Sequence, residues 1–146
     1  MIGSTSTAVW VWGRGCWWPR SAADWLSSWC SSIGPGCCAA PGKPLRVWLK
    51  VNSGMNRAGF ADSAVAAAWQ RLRACGKVAE ITLMSHFARA DELQEPATSA
   101  QIACFDAATR GLQGAHSLAN SSAILAWPEA RRDWARPASC SMAQTR

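Results

Sequence analysis

Ionisable and hydroxyl side chains stand at the end of each of three predicted strands. Lys50 lies inside an apolar run, Arg57 follows it on a glycine-flanked loop, His86 ends the second strand, and Asn120 and Ser121 end the third. Such groups bind charged ligands and transfer protons, and in parallel α/β proteins they gather at the C-terminal ends of the strands. One cluster alone is usually helix-capping or turn chemistry. Three clusters in consecutive units are better explained by one shared site.

The elements that must position these groups alternate between strand and helix from residue 45 onward. Apolar or alternating runs predict strands at 46–51, 78–87 and 116–120, and helical spacing of apolar residues predicts helices at 62–74, 96–112 and 122–126. Asp62 can cap the first helix, which Gly76 ends, and Pro128 ends the last. Strands that alternate with helices indicate parallel βαβ units, either in a doubly wound sheet or in a (β/α)8 barrel.

Length and charge narrow the class of protein. The chain has 146 residues, 49% hydrophobic and 16% charged, enough for one modest domain around one core. Its formal net charge is +6, but the cations form no basic run interleaved with aromatic residues, which argues against a nucleic-acid groove. The apolar stretch 8–12 is too short to span a bilayer, and no positive charge precedes it as in a signal peptide. We therefore expect a cytoplasmic protein that binds neither nucleic acid nor membrane.

The seven cysteines indicate neither a metal site nor a disulfide framework. Their number is odd, four lie within residues 16–38, the other three are far apart, and no C-x-x-C pair occurs. A zinc site or a set of disulfides would need paired ligands at suitable spacings. We expect no metal ligands in this chain.

A change of composition near Pro41 sets the expected domain boundaries. Six of the ten tryptophans precede it, and residues 1–43 follow neither a helical nor a strand template. We therefore expect residues 1–43 to form no specific structure and residues 44–137 to form the ordered domain.

Five segments of the ordered part resemble the motifs of the alanine racemases, barrel enzymes that use pyridoxal 5′-phosphate (PLP). In chain order they read LKVNSGMNRAGF at 49–60, LMSHFARADE at 83–92, QIACF at 101–105, SLANSSA at 117–123 and DWARP at 133–137. Five motifs in the right order make the resemblance specific, although it covers only the middle of the family's barrel. It implies an α/β fold: a fragment of a PLP-binding (β/α)8 barrel, about three βα units long, with unstructured flanks.

The resemblance implies roles for the lysine and the arginine that follow the first strand. Arg57 would donate to the phenolic oxygen of PLP and help to position the substrate carboxylate, and Met55 on the same loop would share in this orientation. Lys50 would be the lysine that is often carbamylated in the family, which turns a cation into an anion that orients Arg57. This would account for a lysine inside a strand, because a buried ammonium beside a guanidinium is otherwise costly. The alternative is that Lys50 and Arg57 are ordinary surface cations without a role in a site.

Cofactor-binding residues are implied at the other strand ends. His86 would lie beside the cofactor ring and hydrogen-bond to Arg136, unless it is an ordinary strand-end histidine. Arg136 would face the pyridine nitrogen, which stays unprotonated because a guanidinium does not give up its proton. Ser121, with Asn120 before it, would bind the cofactor phosphate at the start of a short helix, where backbone N–H groups favour an anion.

The implied activity is the interconversion of L- and D-alanine by a homodimer, which supplies D-alanine for cell-wall peptidoglycan. Both groups that move the proton in the family are missing: the chain has no tyrosine, and Lys43, Lys50 and Lys77 lie outside the family's Schiff-base segment. We therefore expect a truncated, inactive chain of racemase type, in which no catalytic residue is present. The alternatives are a non-catalytic pseudogene product or PLP-binding remnant, and a related PLP-dependent racemase of another amino acid.

Both flanks are interpreted as products of a change of reading frame. The family continues Gly-Ile-Leu-Leu-Tyr-Gly after the last motif, whereas this chain reads ASCSMA at 138–143. Removal of one G from GGC ATC CTG CTC TAT GGC, one encoding of the family version, gives Ala-Ser-Cys-Ser-Met-Ala. We therefore expect residues 138–146 to be an out-of-frame tail, and we extend this interpretation to residues 1–43.

Overall fold

The computed structural model describes residues 8–11 and 44–137, which form a five-stranded parallel sheet with helices. In chain order the elements are β1 (Ala8–Val11), β2 (Leu45–Lys50), α1 (Asp62–Ala74), β3 (Val78–Met84), α2 (Ala97–Ala108), β4 (Ala115–Asn120), α3 (Ser121–Ala126), a 3-10 helix (Pro128–Ala130) and β5 (Trp134–Arg136). The strands lie side by side in chain order, and every neighbouring pair is parallel. Their C-terminal ends therefore share one edge of the sheet.

The core lies between the sheet and the helices α1 and α2. Val65, Ala68 and Leu72 of α1 are completely buried, at the spacing that places them on one helical face. Phe105 of α2 and Leu49 of β2 are buried in the same cluster. Burial of a side chain such as Leu72 or Phe105 stabilises the fold by about 1.5–3 kcal/mol. This packing holds the strand ends in place.

The register of β2 against β3 decides which side chains share the other face of the sheet. Leu49 pairs with Leu83 towards the core, whereas Lys50 pairs with Met84. Because successive strand residues point to opposite faces, Lys50 lies on the face opposite Leu49. Trp48 shares this face, and its ring centroid lies 6.5 Å from that of Trp134 in β5.

The predicted elements are confirmed in type and order, and α1 has its predicted bounds. The second helix is shorter than predicted and ends at Ala108. The prediction that Asp62 caps α1 is wrong: Ala61 is the N-cap, and Asp62 Oδ1 accepts from the Ser63 N–H inside the first turn at 2.7 Å. β5 was not predicted, because three residues are too few to show a period.

One part of the N-terminal flank departs from the prediction of no specific structure. Ala8–Val11 pairs in parallel with β2, from Ala8 against Arg46 to Val11 against Leu49. The sequence of this run, AVWV, consists mostly of residue types that are enriched in strands. The rest of residues 1–43 and the tail 138–146 lie outside the described residues. Within the described ranges, no helix has the length and apolar character needed to cross a bilayer.

Candidate functional site

Lys50 is the last residue of β2 and is almost fully buried, with 3% of its surface exposed. Burial lowers the pKa of Lys50 from its ordinary value, and the positive charges of Arg57 and Arg136 lower this pKa further. The three cations therefore lie close enough to repel one another. At a given pH, more of the Lys50 amine is neutral than in a solvated lysine, and the neutral amine is the nucleophilic form.

Asn52 shapes the loop between β2 and α1 that carries Arg57. Asn52 Oδ1 accepts hydrogen bonds from the backbone N–H groups of Gly54 at 3.3 Å and Asn56 at 3.0 Å, and Asn52 Nδ2 donates to Asn56 Oδ1 at 3.1 Å. Asn56 has a φ of 57°, in the left-handed region that asparagine tolerates better than most residues. Arg57 is exposed, and Met55 is half-buried on the same loop. The loop thus presents a guanidinium beside the end of β2.

A buried hydroxyl pair joins this loop to the end of β3. Ser53 Oγ and Ser85 Oγ lie 2.6 Å apart, and the two residues are 4% and 2% exposed. Ser85 Oγ also donates to the backbone carbonyl oxygen of Val51 at 3.0 Å. Because a hydroxyl has one proton, Ser53 must be the donor to Ser85. The pair therefore holds the Arg57 loop against the strand that leads to His86.

His86 follows β3 and is half-buried beside the three cations. Burial lowers the pKa of His86, and the charges of Arg136, Lys50 and Arg57 lower this pKa further. The imidazole is therefore neutral at neutral pH, with one donor nitrogen and one acceptor nitrogen.

Arg136 ends β5, and its guanidinium reaches across to β4 and to Ser85, the residue after β3. Nη1 donates to the carbonyl oxygen of Ser117 at 2.9 Å and to Ser117 Oγ, while Nη2 donates to the carbonyl oxygens of Leu118 at 3.1 Å and of Ser85. Burial lowers the pKa of Arg136 to about 10. The predicted bond between Arg136 and His86 is not among the hydrogen bonds of the described residues. These two groups interact through charge instead.

Asn120 is the N-cap of α3. Its Oδ1 accepts from the Ala123 N–H at 3.0 Å, and Ser121 is the first helical residue. Asn120 pairs in register with Arg136, so the start of α3 lies at the same edge of the sheet as the other candidate residues. Asn120 and Ser121 are both half-buried there.

Together the strand ends form a site with excess positive charge. Lys50, Arg57, His86 and Arg136 lie within electrostatic reach, since the charges of the other three lower the pKa of His86. Fixed cations of this kind attract an anionic ligand. The part of the chain that the structure describes holds no group of three His, Cys, Asp or Glu side chains that could bind a metal ion.

Two features of the site were not predicted from the sequence. They are the hydroxyl pair of Ser53 and Ser85 and the buried amide of Gln101 on α2. The sequence could have indicated them, because each is a polar residue at a position where the pattern of apolar residues predicts burial. Such a residue needs a hydrogen-bond partner inside the fold.

The family model for the N-terminal domain of alanine racemase matches residues 28–140. The chain belongs to the alanine racemase family. The alanine racemase of Azoarcus sp. (strain BH72) is 70% identical over 99 residues, which are 68% of this chain and 28% of that protein. The chain thus spans less than a third of the length of the curated alanine racemases it matches. The match begins before residue 44, the boundary that composition indicated.

Solved alanine racemases share the fold. The biosynthetic alanine racemase from Pseudomonas aeruginosa is 36% identical with a TM-score of 0.64, over 85% of this chain and 37% of that chain. The alanine racemase from Bartonella henselae, solved with covalently bound pyridoxal phosphate, is 19% identical with a TM-score of 0.58, over 80% of this chain and 31% of that chain. The parallel sheet is therefore part of the alanine racemase barrel, which confirms the predicted fold class.

Proposed function

We propose that residues 44–137 form the cofactor- and carboxylate-binding wall of a PLP-dependent alanine racemase. The observation that carries the proposal is the convergence of Lys50, Arg57, His86 and Arg136 at one edge of the sheet. The whole reaction would be the interconversion of L- and D-alanine by a cytoplasmic homodimer, with D-alanine used for peptidoglycan. The flanks 1–43 and 138–146 lie outside this proposed domain.

The donor groups of the site fit PLP, which carries negative charge on its phosphate and on its phenolic oxygen. Arg57 would donate to the phenolic oxygen and orient the substrate carboxylate, with Met55 beside it on the loop. Ser121, next to Asn120, would bind the phosphate together with backbone N–H groups at the start of α3. When bound, PLP supplies an electron sink that lowers the free energy needed to remove the α-proton.

Arg136 and His86 would face the pyridine ring. Each terminal nitrogen of the guanidinium already donates two hydrogen bonds, to backbone carbonyl oxygens and to Ser117 Oγ. The Nε–H is therefore the donor that would bind the pyridine nitrogen. With a pKa of about 10, Arg136 keeps its proton at neutral pH, and the pyridine nitrogen would stay unprotonated. The neutral imidazole of His86 adds no further positive charge beside the ring.

Lys50 would act as a carbamate. Its neutral amine attacks the carbon of CO2 and releases one proton, which converts the amine into a group with one negative charge. The lowered pKa of Lys50 supports this step, because only the neutral amine reacts. The carbamate would attract Arg57 and Arg136 instead of repelling them, and so would orient Arg57.

Racemisation also requires an acid and a base on opposite faces of the α-carbon. The family uses a Schiff-base lysine and a tyrosine for this purpose. The sequence has no tyrosine, and its lysines are Lys43, Lys50 and Lys77, none in the Schiff-base segment. We therefore propose that this chain by itself binds the anionic groups of the cofactor without racemising alanine.

Calorimetric titration with pyridoxine 5′-phosphate tests the site, because this compound has the phosphate and the phenol but no aldehyde for a lysine to attack. We expect saturable binding that Arg57→Leu weakens about tenfold, through loss of a charge-assisted hydrogen bond. Arg110→Leu is the matched control. Arg110 is exposed and follows the C-terminus of α2, at the opposite edge of the sheet, and its loss should leave the affinity unchanged.

Equally tight binding of unphosphorylated pyridoxine, or an equal loss in both arginine variants, would refute the proposed site. A separate incubation of the chain with PLP and L-alanine, followed by chiral chromatography, should yield no D-alanine above a protein-free sample. Formation of D-alanine would overturn the proposal that the chain alone is inactive.

A further inference from the structure

Gln101 is a buried polar residue of α2, 4% exposed, that binds the backbone after β3. Its Oε1 accepts from the Ala88 N–H at 3.0 Å, and its Nε2 donates to the carbonyl oxygen of His86 at 3.3 Å. One side-chain amide therefore holds the backbone on both sides of Phe87. This segment lies outside the helices and strands, so the regular backbone hydrogen bonds of those elements do not hold it.

The same side chain lies beside Gly54 of the Arg57 loop. A Cβ placed on Gly54 would lie 3.3 Å from Gln101 Cγ, tighter than an ordinary contact, and Gly54 has a φ of 132° that disfavours any other residue. Asn52 Oδ1 accepts from the Gly54 N–H, which links this contact to the hydrogen bonds that shape the loop. Gln101 therefore leaves little room for a side chain at Gly54 of the loop.

We propose that Gln101 is a positioning residue that couples the Arg57 loop to the His86 segment. It offers one acceptor and one donor in a fixed geometry, which the two backbone partners require. Glutamate would lack the donor, and methionine would lack both groups at a similar length. The importance of this coupling for catalysis rests on the proposed function, whereas the hydrogen bonds that define it do not.

Histidine NMR on the full chain without any ligand tests the proposal, because the sequence has only two histidines. In Gln101→Met the released segment should expose His86 to water and move it away from Arg136, Lys50 and Arg57. The pKa of His86 should then rise towards its ordinary value, since burial and these charges lower it. An unchanged His86 titration would overturn the proposal.

His116 reports whether α2 itself has moved. Its ring stands edge-on to Phe105, with centroids 5.4 Å apart, and Phe105 lies one helical turn after Gln101. We expect the imidazole proton resonances of His116 to be the same in the Gln101→Met chain and in the unsubstituted chain. Equal disturbance of His86 and His116 would show a merely structural role.

Thr109 provides the matched control variant. It is buried at the C-terminal end of α2, and its Oγ1 donates to the carbonyl oxygen of Phe105 at 2.8 Å, within the helix. Thr109→Val removes a buried hydrogen bond of α2 but none to the two loops. It should leave the pKa of His86 unchanged, and an effect equal to that of Gln101→Met would refute the specific role of Gln101.

Hydrogen exchange on the unsubstituted chain covers the case in which Gln101→Met fails to fold. The Ala88 N–H should exchange at least about tenfold more slowly than in an unstructured peptide, because Gln101 Oε1 accepts from it. Exchange at the unstructured rate would overturn the proposal. Neither measurement uses PLP. A chain that binds no cofactor would therefore refute the proposed function, whereas the role of Gln101 would still be tested by these two measurements.

Discussion

The buried hydroxyl pair of Ser53 and Ser85 predicts an asymmetric loss of stability when either serine is replaced by alanine. Ser85 donates its single proton to the Val51 carbonyl oxygen and accepts from Ser53. Ser53→Ala therefore removes one hydrogen bond and leaves Ser85 still bonded. Ser85→Ala removes both bonds and leaves the Ser53 hydroxyl buried without its acceptor.

The expected magnitudes follow from these roles. A net hydrogen bond contributes about 1 kcal/mol, and a buried group that loses its partner costs a further 1 to 3 kcal/mol or so. Ser53→Ala should lower the free energy of unfolding by about 1 kcal/mol, and Ser85→Ala by about 3 to 5 kcal/mol. The double variant loses both bonds but buries no orphaned hydroxyl, so it should lose only about 2 kcal/mol. Adding Ser53→Ala to the Ser85→Ala chain should therefore increase its stability.

Urea denaturation followed by circular dichroism measures all three values. Ser99→Ala on the exposed face of α2 is the control, and its effect should stay within about 0.5 kcal/mol. Equal losses for the two single variants, or a double variant whose loss is the sum of both, would refute the assigned direction of the hydrogen bond.

Three further changes test the loop, the turn and the charge at the site. Gly59→Ala should lower the free energy of unfolding by more than about 2 kcal/mol in thermal melts, because a Cβ at its φ of 128° would lie 2.7 Å from the Asn52 backbone nitrogen. Gly76→Ala is the control and should leave stability unchanged, since a Cβ there would meet nothing within 4 Å; equal losses in the two variants would contradict the prediction. Below pH 6.5 the unfolded chain binds a proton at His86 more tightly than the folded chain does, so stability should fall as the pH drops towards the lowered pKa of His86. In urea titrations at several pH values, His86→Gln should make this fall less steep, and an unchanged slope would contradict the lowered pKa. Asn52→Ala should speed tryptic cleavage after Arg57 about tenfold, because it removes two hydrogen bonds that hold the loop. Asn52→Asp keeps both acceptor bonds and should not change the rate; equal cleavage rates in the two variants would show that Asn52 does not hold the loop.

The regular part of the fold could be predicted because burial on one side leaves a repeat in the sequence. Val65, Ala68 and Leu72 show that repeat in α1, and the helix has its predicted bounds. β1 and β5 were missed because a strand of three or four residues carries too little periodicity, and its pairing depends on a neighbour elsewhere in the chain. Asp62 was expected as a cap from its residue type, but it is the first helical residue, and Ala61 is the N-cap.

The candidate site was predictable in composition but not in its connections. Lys50, His86 and Ser121 stand at strand ends that the order of elements already brings to one edge. The hydrogen bonds that arrange this edge join residues with no local relation, such as Ser53 to Ser85 and Gln101 to Ala88. No periodicity in the sequence encodes such a pair, because it exists only after the strands and α2 have packed.

The sequence by itself determined the family and the order of three strands and the helices between them, and it predicted which ionisable residues would lie at the C-terminal ends of these strands. Only the tertiary structure decided that Lys50 is buried, that Arg136 donates to the carbonyl oxygens of Ser117 in β4 and of Ser85 just after β3, and that the pKa of His86 is lowered. The physical reason is that residue type sets the charge a side chain can carry. Loss of water and the distance to other charges set the free energy of carrying it, and both depend on packing between distant segments.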